Sequence, residues 1–278
     1  MGFNSLFVFP YLTKNIIMKR YCYACIVLAL TACTSPKQNA MDGAYKMLSQ
    51  SFKGAAIDTT FTQHKQVKIY AGDYMMYVRI NPTDAVAAFG IGTYSTDSGK
   101  LTENIMYSAT DTTANTNTFS GTVNITKTDK GYTQVIPEIM SDKGKIRLTE
   151  EYESTGTSSA SLLDGAWKQV SAYTFSGKDT VQWNDVQYKT YYAGNFVYGD
   201  YTEQAMGREN KKHTVATYGT FELTGDSLLK ETITASNISA LNGQTFDLAI
   251  KMNGNDSYTQ TVTGNNQKEI AVYQRMKK

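Results

Sequence analysis

Apolar and polar residues alternate along most of the chain in short runs, and Gly, Asn and Asp interrupt those runs at short intervals. Leu229-Lys230-Glu231-Thr232-Ile233 shows the two-residue period, with every second side chain on one face. Tyr, Thr, Val and Ile are plentiful, only four prolines occur, and no helical period stands out beyond a turn near Thr83 to Ala88. The second half predicts strands near Gly165–Tyr173, Val186–Ala193, Asn195–Gly199, Val215–Leu223, Ser227–Ala235, Gln244–Met252, Ser257–Thr263 and Lys268–Arg275. Ala193-Gly194, Thr224-Gly225-Asp226 and Asn253-Gly254-Asn255-Asp256 are turn signals between successive antiparallel strands.

The first half carries the same pattern, with turns at Ser95 to Lys100 and Thr128 to Gly131. Asp42-Gly43-Ala44-Tyr45-Lys46 returns as Asp164-Gly165-Ala166-Trp167-Lys168, and Ile69-Tyr70-Ala71-Gly72-Asp73-Tyr74 returns as Tyr191-Tyr192-Ala193-Gly194-Asn195-Phe196. Both matches lie 122 residues apart, which implies no gap between them. A period of about 120 residues is that of a whole domain, not a solenoid unit. The reading places one domain at 41–153, a small polar linker at 154–161, and a second domain at 162–278. Eight consecutive antiparallel strands lose their edges most simply by closing into a barrel; a two-sheet sandwich is the rival. The expected fold is all-β, two tandem eight-stranded antiparallel up-and-down barrels. An eight-stranded barrel has room for packed side chains or one small ligand.

Gly165-Ala166-Trp167 is similar to the Gly-x-Trp that opens lipocalins, and each repeat resembles a short lipocalin-like domain of bacterial envelope lipoproteins. The resemblance implies that a basic residue near the end of the last strand packs over the Trp, and Arg275 stands in a suitable place. Such a contact would be a cation–π pair closing the barrel's bottom. The first repeat departs from the pattern at both members: Tyr45 replaces the Trp and Ser154 stands where Arg275 does.

The N-terminus reads as an address. Met18-Lys19-Arg20 is basic, Cys25-Ile26-Val27-Leu28-Ala29-Leu30 is apolar and too short to span a bilayer, and small residues follow. Residues 1–32 are read as a signal sequence, with Met18 an alternative start. Leu30-Thr31-Ala32-Cys33 resembles the lipobox of bacterial lipoproteins. That implies cleavage before Cys33, lipid on Cys33, a tether over 33–40, and attachment at the bacterial cell envelope, in the outer membrane. All three cysteines (Cys22, Cys25, Cys33) fall within or at the end of this leader, so the mature chain keeps only the anchor.

Losing Lys14, Lys19 and Arg20 from the 27 basic residues leaves 24 against 25 acidic ones. Such a balance gives no footprint for nucleic acid. His64 and His213 occupy unmatched places, no metal-ligand spacing or nucleophile motif occurs, and no cofactor is called for. The chain reads as a non-enzyme. Gly90-Ile91-Gly92 reads as strand glycines that permit curvature.

Two doubled motifs are candidate ligand contacts. Leu101-Thr102-Glu103-Asn104-Ile105 repeats around Glu231, which puts a carboxylate between two aliphatics on the buried face of each half. An ionised carboxylate there must be paired. Either it meets a ligand, or a neighbouring Tyr, Arg or Lys satisfies it. Tyr132-Thr133-Gln134 repeats as Tyr258-Thr259-Gln260, and Tyr and Gln share a face that either lines a cup or forms an exterior ladder. The candidate binding set is Trp167, Glu231, Tyr258, Gln260 and Arg275, with Glu103, Tyr132 and Gln134 in the first repeat. Tyr70, Tyr74, Tyr94 and Phe119, matched to Tyr192, Phe196, Phe221 and Phe246, read as core packing. The expected function is a lipid-anchored envelope protein that binds a small apolar or aromatic molecule. The alternative is a structural or interaction lipoprotein with filled barrels, accessory to an outer-membrane complex.

Overall fold

The alternating runs become strands that pair with their sequence neighbours. A computed structural model describes residues 41–278 apart from 56, 82–85, 142–143, 157, 203–204, 207–208, 211 and 265–266. The expected signal sequence, Cys33 and the expected tether lie outside the described residues, as does the first half of the turn expected near Thr83 to Ala88, whose Ala87 and Ala88 begin a strand. The first half contains β1 (Gly43–Gly54), β2 (Ile57–Phe61), β3 (Lys65–Ala71), β4 (Tyr74–Ile80), β5 (Ala87–Asp97), β6 (Lys100–Thr110), β7 (Thr113–Asn115), β8 (Phe119–Thr128), β9 (Gly131–Ser141) and β10 (Gly144–Ser154). The second contains β11 (Gly165–Ser176), β12 (Asp179–Trp183), β13 (Val186–Tyr192), β14 (Asn195–Thr202), a small hairpin of β15 (Ala205–Met206) and β16 (Glu209–Asn210), β17 (His213–Thr224), β18 (Leu228–Ser236), β19 (Thr245–Met252), β20 (Ser257–Gly264) and β21 (Gln267–Arg275).

Each half is a closed eight-stranded antiparallel barrel. β10 returns to pair with β1, and β21 returns to pair with β11. The strand order follows the sequence, so the barrels are up-and-down, as the pattern predicts. The strands not foreseen lie outside the barrel walls: β7 pairs with the end of β6, β15 pairs with β16 alone, and β2 and β12 are flanges. β2 and β12 continue the hairpins begun by β1 and β11 beyond the barrel wall. The wall bends at paired bulges, at Ile91/Gly92 in the first barrel and Tyr218/Gly219 in the second. Glycine is required there: a Cβ on Gly92 would lie 1.9 Å from the Asn104 carbonyl oxygen, and one on Gly219 would lie 2.0 Å from that of Thr232.

The gap-free match between the repeats needs one correction. Strand pairing aligns Tyr70 with Tyr191, not Tyr192, because His64 and Asp185 directly precede equivalent strands at an offset of 121. The joint between flange and strand is one residue shorter in the second half. A one-residue slip in a strand moves every side chain to the opposite face. On the corrected register Met75 is the counterpart of Phe196, Tyr77 of Tyr198, and Arg79 of Asp200. Phe119 departs from expectation as well. It is 66% exposed, and Gly121 rather than Phe119 occupies the place of Phe246.

Each barrel has its own core, and a third apolar cluster joins them. The outward faces of β3, β4 and β5 pack against those of β13, β14 and β17, burying Ile69, Met76, Val78, Phe89 and Ile91 against Tyr188, Val197, Tyr201, Ala216 and Tyr218. Each of the three strands meets its own counterpart, which gives the contact an approximate two-fold symmetry of the kind seen in isologous dimers. Gly199 lets the Phe89 ring lie directly on the opposing backbone, because a Cβ there would sit 2.3 Å from Phe89 Cγ. Tyr74 Oη donates to the Lys277 carbonyl at 2.7 Å, and Tyr201 Oη donates to that of Thr112 at 3.1 Å.

Candidate functional site

One end of the second barrel is shut. Trp167 is fully buried and paired across the closing seam with Arg275, whose guanidinium lies 4.1 Å from the indole centroid. Arg275 also donates to the carbonyls of Leu162 (2.7 Å), Asn255 (2.8 Å) and Asp164. Trp167 Nε1 donates to the Leu163 carbonyl at 2.7 Å. The cation–π contact implied by the lipocalin-like motif is therefore present, and it is locked by backbone acceptors. In the first barrel Tyr45 pairs with Ser154 at the matching place.

Above this floor lies a stack of rings that both barrels share. Trp167 meets Tyr258 edge-on at 4.8 Å, and Tyr258 stacks on Tyr273 at 4.9 Å. Tyr45, Tyr132 and Tyr152 repeat the arrangement at 5.0 and 4.7 Å. Tyr132 and Tyr258 thus point inward and are buried, not part of an exterior ladder.

The doubled glutamate sits at the next level, on a doubled lysine. Lys189 Nζ lies 3.0 Å from Glu231 Oε1 and 3.2 Å from Gln260 Oε1, while Tyr191 Oη donates to Glu231 at 2.5 Å. Lys68, Glu103, Gln134 and Tyr70 repeat this at 3.0, 3.2 and 2.5 Å. The phenols of Tyr70 and Tyr191 are pushed well above their usual range by burial first and by the adjacent carboxylate second, so they stay protonated as donors. Both glutamates are consequently satisfied from within. Glu231, Gln260, Glu103 and Gln134 belong to an internal polar girdle, and Trp167 and Arg275 belong to the closed floor. The lysines were the missing members; Lys68-x-Tyr70 and Lys189-x-Tyr191 carry the duplication as clearly as the glutamates do.

The barrels diverge beyond the girdle. In the first, Glu150 accepts from Gln50 (2.7 Å), Gln134 (3.1 Å) and Tyr152 (3.0 Å), and Gln66 donates to Tyr152 Oη at 2.7 Å, which closes the network. In the second, Ala172 and Ala271 face each other where Gln50 and Glu150 do in the first. The mouth there carries Asp185, Asp200 and Glu269 in place of His64, Arg79 and Leu148. Asp200 accepts from Tyr198 Oη at 3.2 Å. Its carboxyl is pushed up from 3.8 to about 8, by burial first and then by Asp185.

That shift fixes a pH dependence. The unfolded carboxyl ionises from about pH 4, whereas the folded one keeps its proton until about 8, so unfolding releases a proton throughout that window. Stability therefore falls as pH rises from 4 to 8 and levels off above. Glu269, raised chiefly by burial, and Asp164, raised to about 6, act with the same sign. Asp200→Asn should melt higher than the parent at pH 8 and close to it at pH 4, as read by circular dichroism at the two pH values.

No family model and no curated protein matches the chain. Among solved structures it is similar to a protein of unknown function from the DUF3598 family of Nostoc punctiforme, at 10% identity over 84% of this chain and 96% of the other, with a TM-score of 0.24. A superposition that loose transfers nothing to this chain. Among the described residues, no helix is long and apolar enough to cross a membrane, and no group of three or more His, Cys, Asp or Glu has a metal-holding arrangement.

Proposed function

We propose that this chain is a lipid-anchored envelope protein, non-catalytic, whose second barrel binds a small molecule at its open mouth while the first barrel is its filled structural partner. The observation that carries the reading is the exchange of Gln50 and Glu150 for Ala172 and Ala271 on the same inward face. It removes two long, mutually bonded side chains from one mouth only. Half-buried Trp183, opposite Ala172 on the flange, and Tyr198 supply aromatic surface beside that space. Aromatic and apolar walls with a few converging polar groups are the usual make-up of a small-molecule site. On this reading Glu231, Gln260 and Tyr258 hold the site's base in shape, Trp167 and Arg275 seal the floor, and Glu103, Tyr132 and Gln134 are their structural counterparts.

Filling the mouth tests the reading. Ala172→Gln with Ala271→Glu transplants the first barrel's pair, and should lower the binding of a hydrophobic fluorescent dye at least tenfold while the circular dichroism of the folded parent is retained. Native mass spectrometry of protein purified from its own envelope should show a co-purifying small molecule that the filled variant lacks. Unchanged dye binding and no ligand in either protein would favour the structural lipoprotein. Cys33→Ser should abolish incorporation of a clickable palmitate analogue; labelling that persists would refute the anchor.

A further inference from the structure

Among the described residues, the inward face at the second barrel's mouth is rich in carboxyl groups. Residues alternate inward and outward along each strand, and Asp200 on β14 and Glu269 on β21 share the inward face with Phe196 and Tyr273. Asp185, just before β13, follows the inward parity of Gln187 and Lys189. The inward groups around Asp200 are Tyr198 on its own strand, Asp185 and Lys189 at β13, Glu269 and Tyr273 on β21, and His213 at the rim of β17. Among the described inward groups Lys189 is the one lysine or arginine; Glu231 holds it at 3.0 Å, and its Nζ also lies 5.7 Å from the Tyr198 ring centroid and 5.5 Å from that of Tyr273. Three carboxyl groups remain. Asp200 accepts from Tyr198 through Oδ2, while Asp200 Oδ1 and Asp185 Oδ1 are buried and accept no hydrogen bond among the described residues. Unpaired carboxylates in such surroundings are costly, and either a proton or a cation relieves the cost.

The scaffold does not demand this cluster. The first barrel reaches the same fold with His64, Arg79 and Leu148 at the three positions, and there Arg79 Nη2 lies 3.4 Å from His64 Nδ1. The acidic side chains accompany Ala172 and Ala271; Tyr198 donates to Asp200, and Trp183 Nε1 donates to Thr174, the strand partner of Glu269. An aromatic face next to carboxylates is the environment that recognises an alkylated ammonium. A bare metal ion fits less well, since the carboxyls do not converge on one point.

We propose that the mouth of the second barrel binds a small organic ammonium ion, with Asp185, Asp200 and Glu269 as counter-charges and Trp183 and Tyr198 as its aromatic wall. The proposal rests on the reading of the second barrel as the binder and names its ligand class. The cation takes the place of the proton that Asp200 otherwise keeps.

The test titrates the whole mature protein with benzyltrimethylammonium, with the uncharged isostere neopentylbenzene, and with benzoate, by calorimetry and tryptophan fluorescence. The cation should bind at least tenfold more tightly than either comparison compound. Its affinity should rise from pH 6 to pH 9 as Asp200 ionises. Asp200→Asn with Glu269→Gln should weaken the cation at least tenfold, remove the pH dependence and leave the isostere unaffected. The pH series on the unaltered protein decides the matter if that variant fails to fold: affinity that is flat or falling with pH overturns the proposal. Equal binding of cation and isostere overturns it too, while leaving the second barrel a binder. If none of the three compounds binds and the dye is also ignored, both readings fall.

Discussion

Phe89→Ala should destabilise both barrels at once. The ring is fully buried yet lies in neither barrel's interior; it fills the cleft between β5 and the second barrel, over Gly199 and 6.4 Å from the Tyr188 ring. Truncating a buried Phe costs about 3–5 kcal/mol, made up of lost transfer energy and of the cavity left behind. Gly199 cannot fill that cavity, and Tyr188 and Tyr107 already pack on each other at 5.4 Å. The loss should therefore fall near the upper part of the range. Its distribution matters as much as its size. A third apolar cluster shared by β3, β4 and β5 with β13, β14 and β17 couples the barrels, so the parent should unfold in a single transition and the variant in two. Differential scanning calorimetry reads both. A variant that still melts in one transition, displaced by less than a degree, would mean the interface contributes little to the coupling. Gly199→Val should do similar harm by the opposite route, since its side chain would enter the Phe89 ring.

This interface shows where the sequence stopped informing. The barrels and their turns were readable because the two-residue period assigns each side chain to a face and the turn residues mark the hairpins. The strands foreseen in the second half lie within a few residues of β11, β13, β14 and β17–β21. A pairing of barrels requires strands buried on both faces, and alternation then gives way to an almost unbroken apolar run. Tyr74-Met75-Met76-Tyr77-Val78-Arg79-Ile80 is such a run. It reads as an ordinary strand unless its outward side chains, Met76, Val78 and Ile80, are asked what covers them. The unseen flanges have a similar cause. β11 passes through a bulge after Gln169, which puts Val170 out of phase and makes the strand look finished at Tyr173.

The candidate site was legible in part for the same reason. Duplication picked out Glu103 and Glu231, Tyr132 and Tyr258, and Gln134 and Gln260, which strand pairing does bring together inside each barrel. What duplication marks most strongly is what both halves need, and that proved to be the polar girdle. The divergent mouth was hidden because the gap-free alignment runs one residue out of phase across β3 and β13. On it Arg79 falls opposite Tyr201, and the Arg79–Asp200 contrast disappears.

The girdle itself supports the other large expectation, that Lys189→Met should cost about 3–5 kcal/mol, the range for breaking a buried ion pair from one side. Lys189 and Glu231 are only 5% and 8% exposed, so the methionine leaves a carboxylate with Tyr191 as its remaining donor in a nearly dry interior. Lys68→Met should cost less, because Glu103 is 16% exposed and water can take over part of its solvation. Replacing the pair together, Lys189→Met with Glu231→Leu, removes both charges and should recover most of the loss, since a well-packed apolar pair is often as stable as a buried ion pair. Urea denaturation of the three variants at neutral pH separates these terms. If the single and double variants are equally unstable, what Glu231 contributes is the shape of its bonds to Tyr191 and Lys189, and charge is secondary. If the double variant recovers stability but loses dye or cation binding, the girdle is kept because it holds the base of the mouth in register.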